Sequence, residues 1–250
     1  MEKAWKRYYT QIQGVLESVR TTQEDNIEKA ADILAECTKN EGIIRCFGVG
    51  HSGVITEDVH WRASTLSNVQ SITEIGLSGT REVTKSQHLE KLAGYGKILV
   101  DYHRIKPPDA LIAVSSSGNN AVTIDVAHEC RARGVKVIAI TGVDYSDGLN
   151  ALHPDGTKLK DNADVVLDSH VLFGDAAVDI EGFKVKTGPT SAVPAIFLLN
   201  AILVQAVENL VLQGFEPDVY FAGNLEANLE EVSEHNKRLI DKYFYKIRNL

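Results

Sequence analysis

A chain of 250 residues with 44% hydrophobic and 24% charged residues is long enough to bury a full core as one large domain with helical extensions. Its formal net charge of −8, without a stripe of clustered Lys and Arg, argues against nucleic-acid backbone binding, so an anionic ligand has to be held by local dipoles. Cys37, Cys46 and Cys130 are odd in number and widely spaced, which indicates neither a disulfide framework nor a zinc site.

No apolar run reaches the roughly 18 residues of a membrane span, and the start MEKAWKRYYTQIQG lacks the apolar segment of a signal peptide. A cytoplasmic protein with no membrane partner is expected. Trp5, Tyr8, Tyr9, Ile12, Val15, Leu16 and Val19 recur every three or four residues, and Ile27, Ala30, Ala31, Leu34 and Cys37 do so again after a break near 21–25. Two helices therefore open the chain. Residues 1–40 are assigned to this pair, packing on the core or on a partner subunit.

Five short apolar segments follow, at Ile43 to Val49, Val69 to Thr73, Ala110 to Val114, Val135 to Thr141 and Val165 to Asp168. Each reads as a buried strand, and the gaps hold helical patterns or loops of crossover length. The fold class is α/β with a doubly wound parallel five-stranded sheet, and residues 41–215 form its domain. Between the second and third strands, SQHLEKLAGYGKILVDYHRI reads as helix interrupted at Gly94 and Gly96. A long amphipathic helix is expected from Pro189 to Gln213, then a C-terminal loop and helix over 216–250.

Two turns carry the chemistry. The third strand runs into Ser115-Ser116-Ser117-Gly118-Asn119-Asn120, which caps a helix bearing Val122, Val126, Ala127 and Cys130. Hydroxyls and free N–H groups at a helix N-terminus suit a phosphate or similar anion. The first strand ends in Gly48-Val49-Gly50-His51-Ser52-Gly53, which satisfies the G-x-G-x-x-G dinucleotide fingerprint, with Glu74 where a ribose-binding acid would stand. In strand order 2-1-3-4-5 the two turns face one another across the crevice, and one small anionic ligand bridging both explains the pair better than a dinucleotide on the first alone.

The pairing of GVGHS with SSSGNN resembles the sugar isomerase (SIS) domain, whose second turn has the form Ser-x-Ser-Gly-Asn-Ser and binds phosphosugars. HPDGTKL at 153–159, FGDAAV at 173–178, GPTS at 188–191 and Glu234-His235-Asn236 are similar to a bacterial branch related to phosphoheptose isomerase. The resemblance implies that Ser115, Ser116 and Ser117 contact the phosphate while Gly118 permits close approach. Asn120 stands where relatives carry a serine or threonine. Gly50, His51 and Ser52 face the sugar, and Thr190 and Ser191 cap another helix near the ligand.

Phosphoheptose isomerases place a glutamate ten residues past the serine of the first turn, and Arg62 occupies that place here. Glu57 is the nearest replacement, with His51, His153 and His235 as further catalytic candidates, and Glu74 and Glu90 in segments able to fold over the crevice. A carboxylate or imidazole near C1 and C2 is what a proton shuttle between adjacent carbons requires. The expected activity is aldose–ketose isomerisation of a sugar with a C6 anion, through an enediol, without redox cofactor or metal. The alternatives are a non-catalytic phosphosugar-binding module and an NAD(P)-dependent oxidoreductase. A homodimer or homotetramer is expected from the apolar faces of the first helix and of the helix after Pro189.

Overall fold

In the computed structural model, which describes residues 2–223 and 229–248, α1 (Ala4–Thr22) and α2 (Glu24–Lys39) precede a sheet built from β1 (Ile44–Gly48), β2 (Val69–Ser71), β3 (Ala110–Val114), β4 (Lys136–Thr141) and β5 (Val165–Asp168). Crossovers carry α3 (His51–Glu57), α4 (Val83–Leu89), α5 (Tyr95–Tyr102), α6 (Ala121–Ala132) and α7 (Val143–Asp147), and the chain closes with α8 (Ala192–Leu212) and α9 (Leu229–Tyr243). All strand pairs are parallel and the order is 2-1-3-4-5, the doubly wound arrangement expected from the sequence. The glycines at 94 and 96 do break a helical segment, with Gly94 at φ 89° starting α5.

Strand alternation sorts the core into two layers. Ile44, Cys46, Ile112, Val114, Ile138, Ile140 and Leu167 point to α2 and α8, where Ala30, Leu34, Leu198, Leu199 and Ile202 pack against them. Phe47, Leu111, Ala113, Val137 and Ala139 point the other way, to Leu99 and Val100 of α5 and Val122, Val126 and Ala127 of α6. Each fully buried Leu, Ile or Phe of these layers contributes about 1.5–3 kcal/mol relative to exposure. The opening helices thus share the hydrophobic layer of the sheet, through α2.

One charged residue interrupts that alternation. Arg45, the second residue of β1, has a side chain only 4% exposed, and its Nη2 lies 3.0 Å from Asp109 Oδ2. Its Nη1 donates to Gln70 Oε1 on β2, while Asp109 Oδ1 accepts from the Ile43 amide at 2.9 Å. A buried pair of this kind is held by its full set of hydrogen bonds rather than by Coulomb attraction alone.

Contrary to the expectation that no segment reaches membrane-spanning length, α8 is long and apolar enough to do so by length and composition. One of its faces, with Leu198, Leu199, Ile202, Leu203, Ala206 and Leu210, is buried in the core. The opposite side leaves Val193, Ile196, Phe197, Val204 and Val211 exposed, a stripe at helical spacing.

Candidate functional site

Pairing of Gly48 with Val114 at the ends of β1 and β3 sets the two special turns side by side at the point where strand order reverses. A cavity of about 590 Å³ opens there, lined by Val49 and Ser52 of the first turn and by Ser115, Ser116, Ser117, Asn119 and Asn120 of the second. Glu90, Lys91, Tyr145, Asn150, Leu152 and Asp175 complete its walls. This is where an open α/β sheet binds its ligands.

The serine turn is built by bonds that leave its hydroxyls and several of its amides unspent. Ser115 donates its amide to Ile140 O at 3.0 Å, Gly118 to Ser115 O at 3.0 Å, and Ser116 O accepts from Gly142 at 3.0 Å. At the head of α6, Asn120 Oδ1 accepts from the Thr123 amide at 3.3 Å, and Glu90 O accepts from the Val122 amide at 3.2 Å. The Ser115, Ser116 and Ser117 hydroxyls have no protein partner among the described residues, and neither do the amides of Ser116, Ser117, Asn119 and Ala121. Partial positive charge at the first turn of α6 adds to these donors.

Gly118 sits at φ 62° beneath that turn, and a Cβ there would stand 2.9 Å from Thr141 Oγ1 and 3.0 Å from Ser146 Oγ. Both hydroxyls are fully buried and unpartnered among the described residues. Asn119 fixes the far wall, donating from Nδ2 to Asn150 O at 2.7 Å and accepting from the Leu152 amide at 3.0 Å.

The glycine-rich turn is used differently from a dinucleotide loop. A Cβ on Gly48 would lie 2.6 Å from the Ser52 carbonyl carbon, and one on Gly53 would lie 3.0 Å from Gly48 O. These two glycines let α3 press against β1. The amide of Gly50 donates to Leu77 O at 2.9 Å, and the Ser52 and Gly53 amides are spent within the turn. Glu74 Oε1 accepts from the Gly76 amide at 3.2 Å, closing a 3-10 turn over 75–77.

The remaining sequence candidates are placed as follows. Gly50 and His51 do not line the cavity, and His51 is exposed at the start of α3. Glu57 is the last residue of α3, exposed and outside the cavity lining. Because α3 ends there, Arg62 lies beyond the helix, its Nη1 2.7 Å from Asp58 Oδ1, on a separate groove beside α8.

His153 spans two carboxylates, with Nε2 3.0 Å from Asp125 Oδ1 and Nδ1 2.6 Å from Asp155 Oδ1. Burial opposes its charge, but the hydrogen bonds to Asp125 and Asp155 outweigh it and raise its pKa. His235 lies 2.9 Å from Val219 O through Nε2 and 3.1 Å from Arg238 through Nδ1, stacked on Phe221 at 3.8 Å. Neither ring lines the cavity, and each has both of its nitrogens engaged elsewhere.

Asp175, within the FGDAAV segment but not singled out there, is the link to Thr190 and Ser191. Its Oδ1 accepts from the Thr190 and Ser191 amides at 2.7 and 2.8 Å, and its Oδ2 from Ser191 Oγ at 2.7 Å. Thr190 and Ser191 therefore meet the cavity through Asp175 rather than lining it themselves. Glu90, named only for its segment, stands on the wall, where burial raises its pKa against the opposing effects of Lys91 and Asn120. Groups of three or more metal-ligating side chains are absent among the described residues.

Comparison with known proteins adds the family. A model described as "SIS domain" matches residues 7–142. A UPF0309 protein of Geobacillus kaustophilus is 34% identical over 237 residues, covering 95% of this chain and 93% of the relative. Among solved structures, a phosphoheptose isomerase of Francisella tularensis superposes with a TM-score of 0.54 at 15% identity, covering 80% of this chain and 95% of that one. An Escherichia coli protein solved in complex with a sugar phosphate gives 0.51 at 18% identity, with 84% and 90% covered.

Proposed function

The chain belongs to the SIS-domain family, and we propose that it binds the anionic end of a phosphorylated or sulfonated sugar on its serine turn and interconverts aldose and ketose forms through an enediol. The observation that carries this reading is the serine turn itself. Three hydroxyls without protein partners among the described residues and a run of unused amides line one cavity at the head of α6. Fold neighbours that are phosphoheptose isomerases, and one solved with a sugar phosphate bound, support it.

In the proposed complex Ser115, Ser116, Ser117 and the α6 terminus hold the anion, and Gly118 keeps the turn low against β4. Ser52 orients sugar hydroxyls, with His51 at the rim. Anion binding remote from C1 and C2 fixes the carbon chain for proton transfer, so binding energy of a non-reacting group lowers the barrier. A second copy of the chain is proposed to cover the apolar stripe of α8 beside Trp5 and Tyr9 of α1, all exposed in the single chain.

The second reading, a binding module without catalysis, is favoured by Glu57 standing outside the cavity and by Arg62 in the place of the family glutamate. A nicotinamide cofactor is disfavoured by the Gly50 amide and Glu74 being spent on internal bonds. Calorimetry with glucose 6-phosphate, mannose 6-phosphate, a heptose 7-phosphate and 6-sulfonated glucose tests the reading. Ser117→Ala removes one hydrogen bond to a charged group, about 1.5–3 kcal/mol, so affinity for the ligand that binds falls roughly 10- to 100-fold. Unchanged affinity in Ser117→Ala, or binding of NAD in place of any sugar, refutes it.

A further inference from the structure

We propose that the proton-transfer group of this cavity is Glu90, with Lys91 beside it as the cationic ligand of the anion; the assignment rests on the isomerase reading above. Among the described residues the cavity walls carry three charged side chains, Glu90, Lys91 and Asp175. Asp175 is committed, because both of its oxygens already accept from the Thr190 and Ser191 cap of α8. That leaves one carboxylate and one ammonium for a ligand.

The backbone holds Glu90 at the edge of the serine turn. Its amide donates to Ser86 O at 2.9 Å at the end of α4, and its carbonyl accepts from the Val122 amide at 3.2 Å in the first turn of α6. Further along this wall, the Gly94 and Gly96 amides are tethered to Asp125 of the same helix α6, at 2.6 and 3.4 Å. The Asn120 side chain, at the cap of α6, is near enough to the Glu90 carboxyl to work against the rise that burial causes in its pKa. One helix terminus thus fixes both the anion donors and the carboxylate, and a general base needs that kind of positioning before its basicity matters.

The step balances without a co-reactant. The Glu90 carboxylate takes the proton from C2 of an open-chain aldose, the C2–H electron pair becomes the C1–C2 double bond, the carbonyl π pair moves onto O1, and O1 takes up a proton from solvent water to give the enediol. Return of the Glu90 proton to C1, with loss of the O2 proton to solvent water that replaces the one given to O1, closes the carbonyl at C2. Carbon gains and loses nothing overall, so no oxidant or reductant enters. Lys91 offsets the charge of the distant phosphate or sulfonate and takes no part in this exchange.

The experiment follows C2 deuterium incorporation by NMR in heavy water, using the sugar panel above, alongside calorimetric affinity for the same sugars and for inorganic phosphate. Glu90→Gln keeps the size of the side chain and the backbone bonds that place it. It is expected to slow exchange by about 10²- to 10⁴-fold while the affinity of the sugar stays within about threefold. Glu90→Asp is expected to restore part of the rate with a shifted pH profile, which a purely structural role would not produce. Lys91→Ala is expected to weaken phosphate about tenfold.

Exchange at the wild-type rate in Glu90→Gln, or its loss in Glu57→Gln while Glu90→Gln is active, overturns the assignment and leaves the isomerase reading standing. Sugar binding with no exchange in the wild type overturns it in favour of a binding module. Absence of binding by every sugar refutes the phosphosugar reading, and the assignment falls with it.

Discussion

Replacing Gly118 with alanine tests whether the floor of the serine turn is set by steric necessity or by backbone conformation alone. The residue sits at φ 62°, where an L side chain costs about 1–2 kcal/mol. The added methyl would lie 2.9 and 3.0 Å from two buried hydroxyls, Thr141 Oγ1 and Ser146 Oγ. Overpacking a filled site adds about 1–3 kcal/mol, so Gly118→Ala should destabilise by about 2–5 kcal/mol. Gly50 supplies the control, with nearly the same φ of 65° but no atom within 4 Å of the point a Cβ would occupy. Gly50→Ala should therefore lose only the conformational part, about 1–2 kcal/mol. Urea unfolding of both variants, with unchanged m-values, reads the difference. Equal losses at the two positions would show that the contacts with Thr141 and Ser146 do not constrain the turn, and the steric argument for the cradle would fail.

The buried Arg45 and Asp109 pair gives a second expectation. Arg45→Met strands a carboxylate that is 9% exposed and should cost about 3–5 kcal/mol, whereas Arg45→Met with Asp109→Asn should recover much of it; simple additivity in denaturant melts would contradict the pairing. Two histidines should respond to pH with opposite sign. His103 is lowered to about 4, by burial first and then by Arg45 and Arg248, so stability present above its unfolded value near 6.5 is lost as pH falls toward 4. His153 is raised, burial being outweighed by the bonds to Asp125 and Asp155, so its contribution is full below about 6.5 and is lost as pH rises through the folded value. Ring-proton NMR titrations check both, and His103 titrating at or above 6.5 would contradict its burial beside Arg45.

Sheet order and both turns are legible in the sequence because they depend on local pattern. Buried parallel strands read as apolar runs, and a polar cluster between a strand and a helix reads as a cap. Strand ends differ by a residue or two, as at β1, where Ile43 spends its amide on Asp109 and Val49 starts the turn. Partners distant in sequence are not legible. Asp175 meets residues 15 and 16 positions away, and Arg45 meets Asp109 across 64. Glu57 follows from counting along a helix that in fact stops after two turns, with Arg62 already past its end. His153 and His235 look like chemistry in one dimension and act as clasps in three, each ring bonded on both sides.

Two long helices begin near the cavity, but they differ in what their first turns have left to offer. The head of α8 is already neutralised by an internal acid, Asp175, whereas the head of α6 retains unspent donors. In the proposed complex a ligand charged at one end is seated there, with its remainder along the wall that carries Glu90 and Lys91. A bisphosphate would carry its second anion toward a wall where a carboxylate already occupies the other positive terminus. Under the proposed function, preference for a sugar with one anionic group over a bisphosphate follows from which of its helix ends the chain has sealed from within.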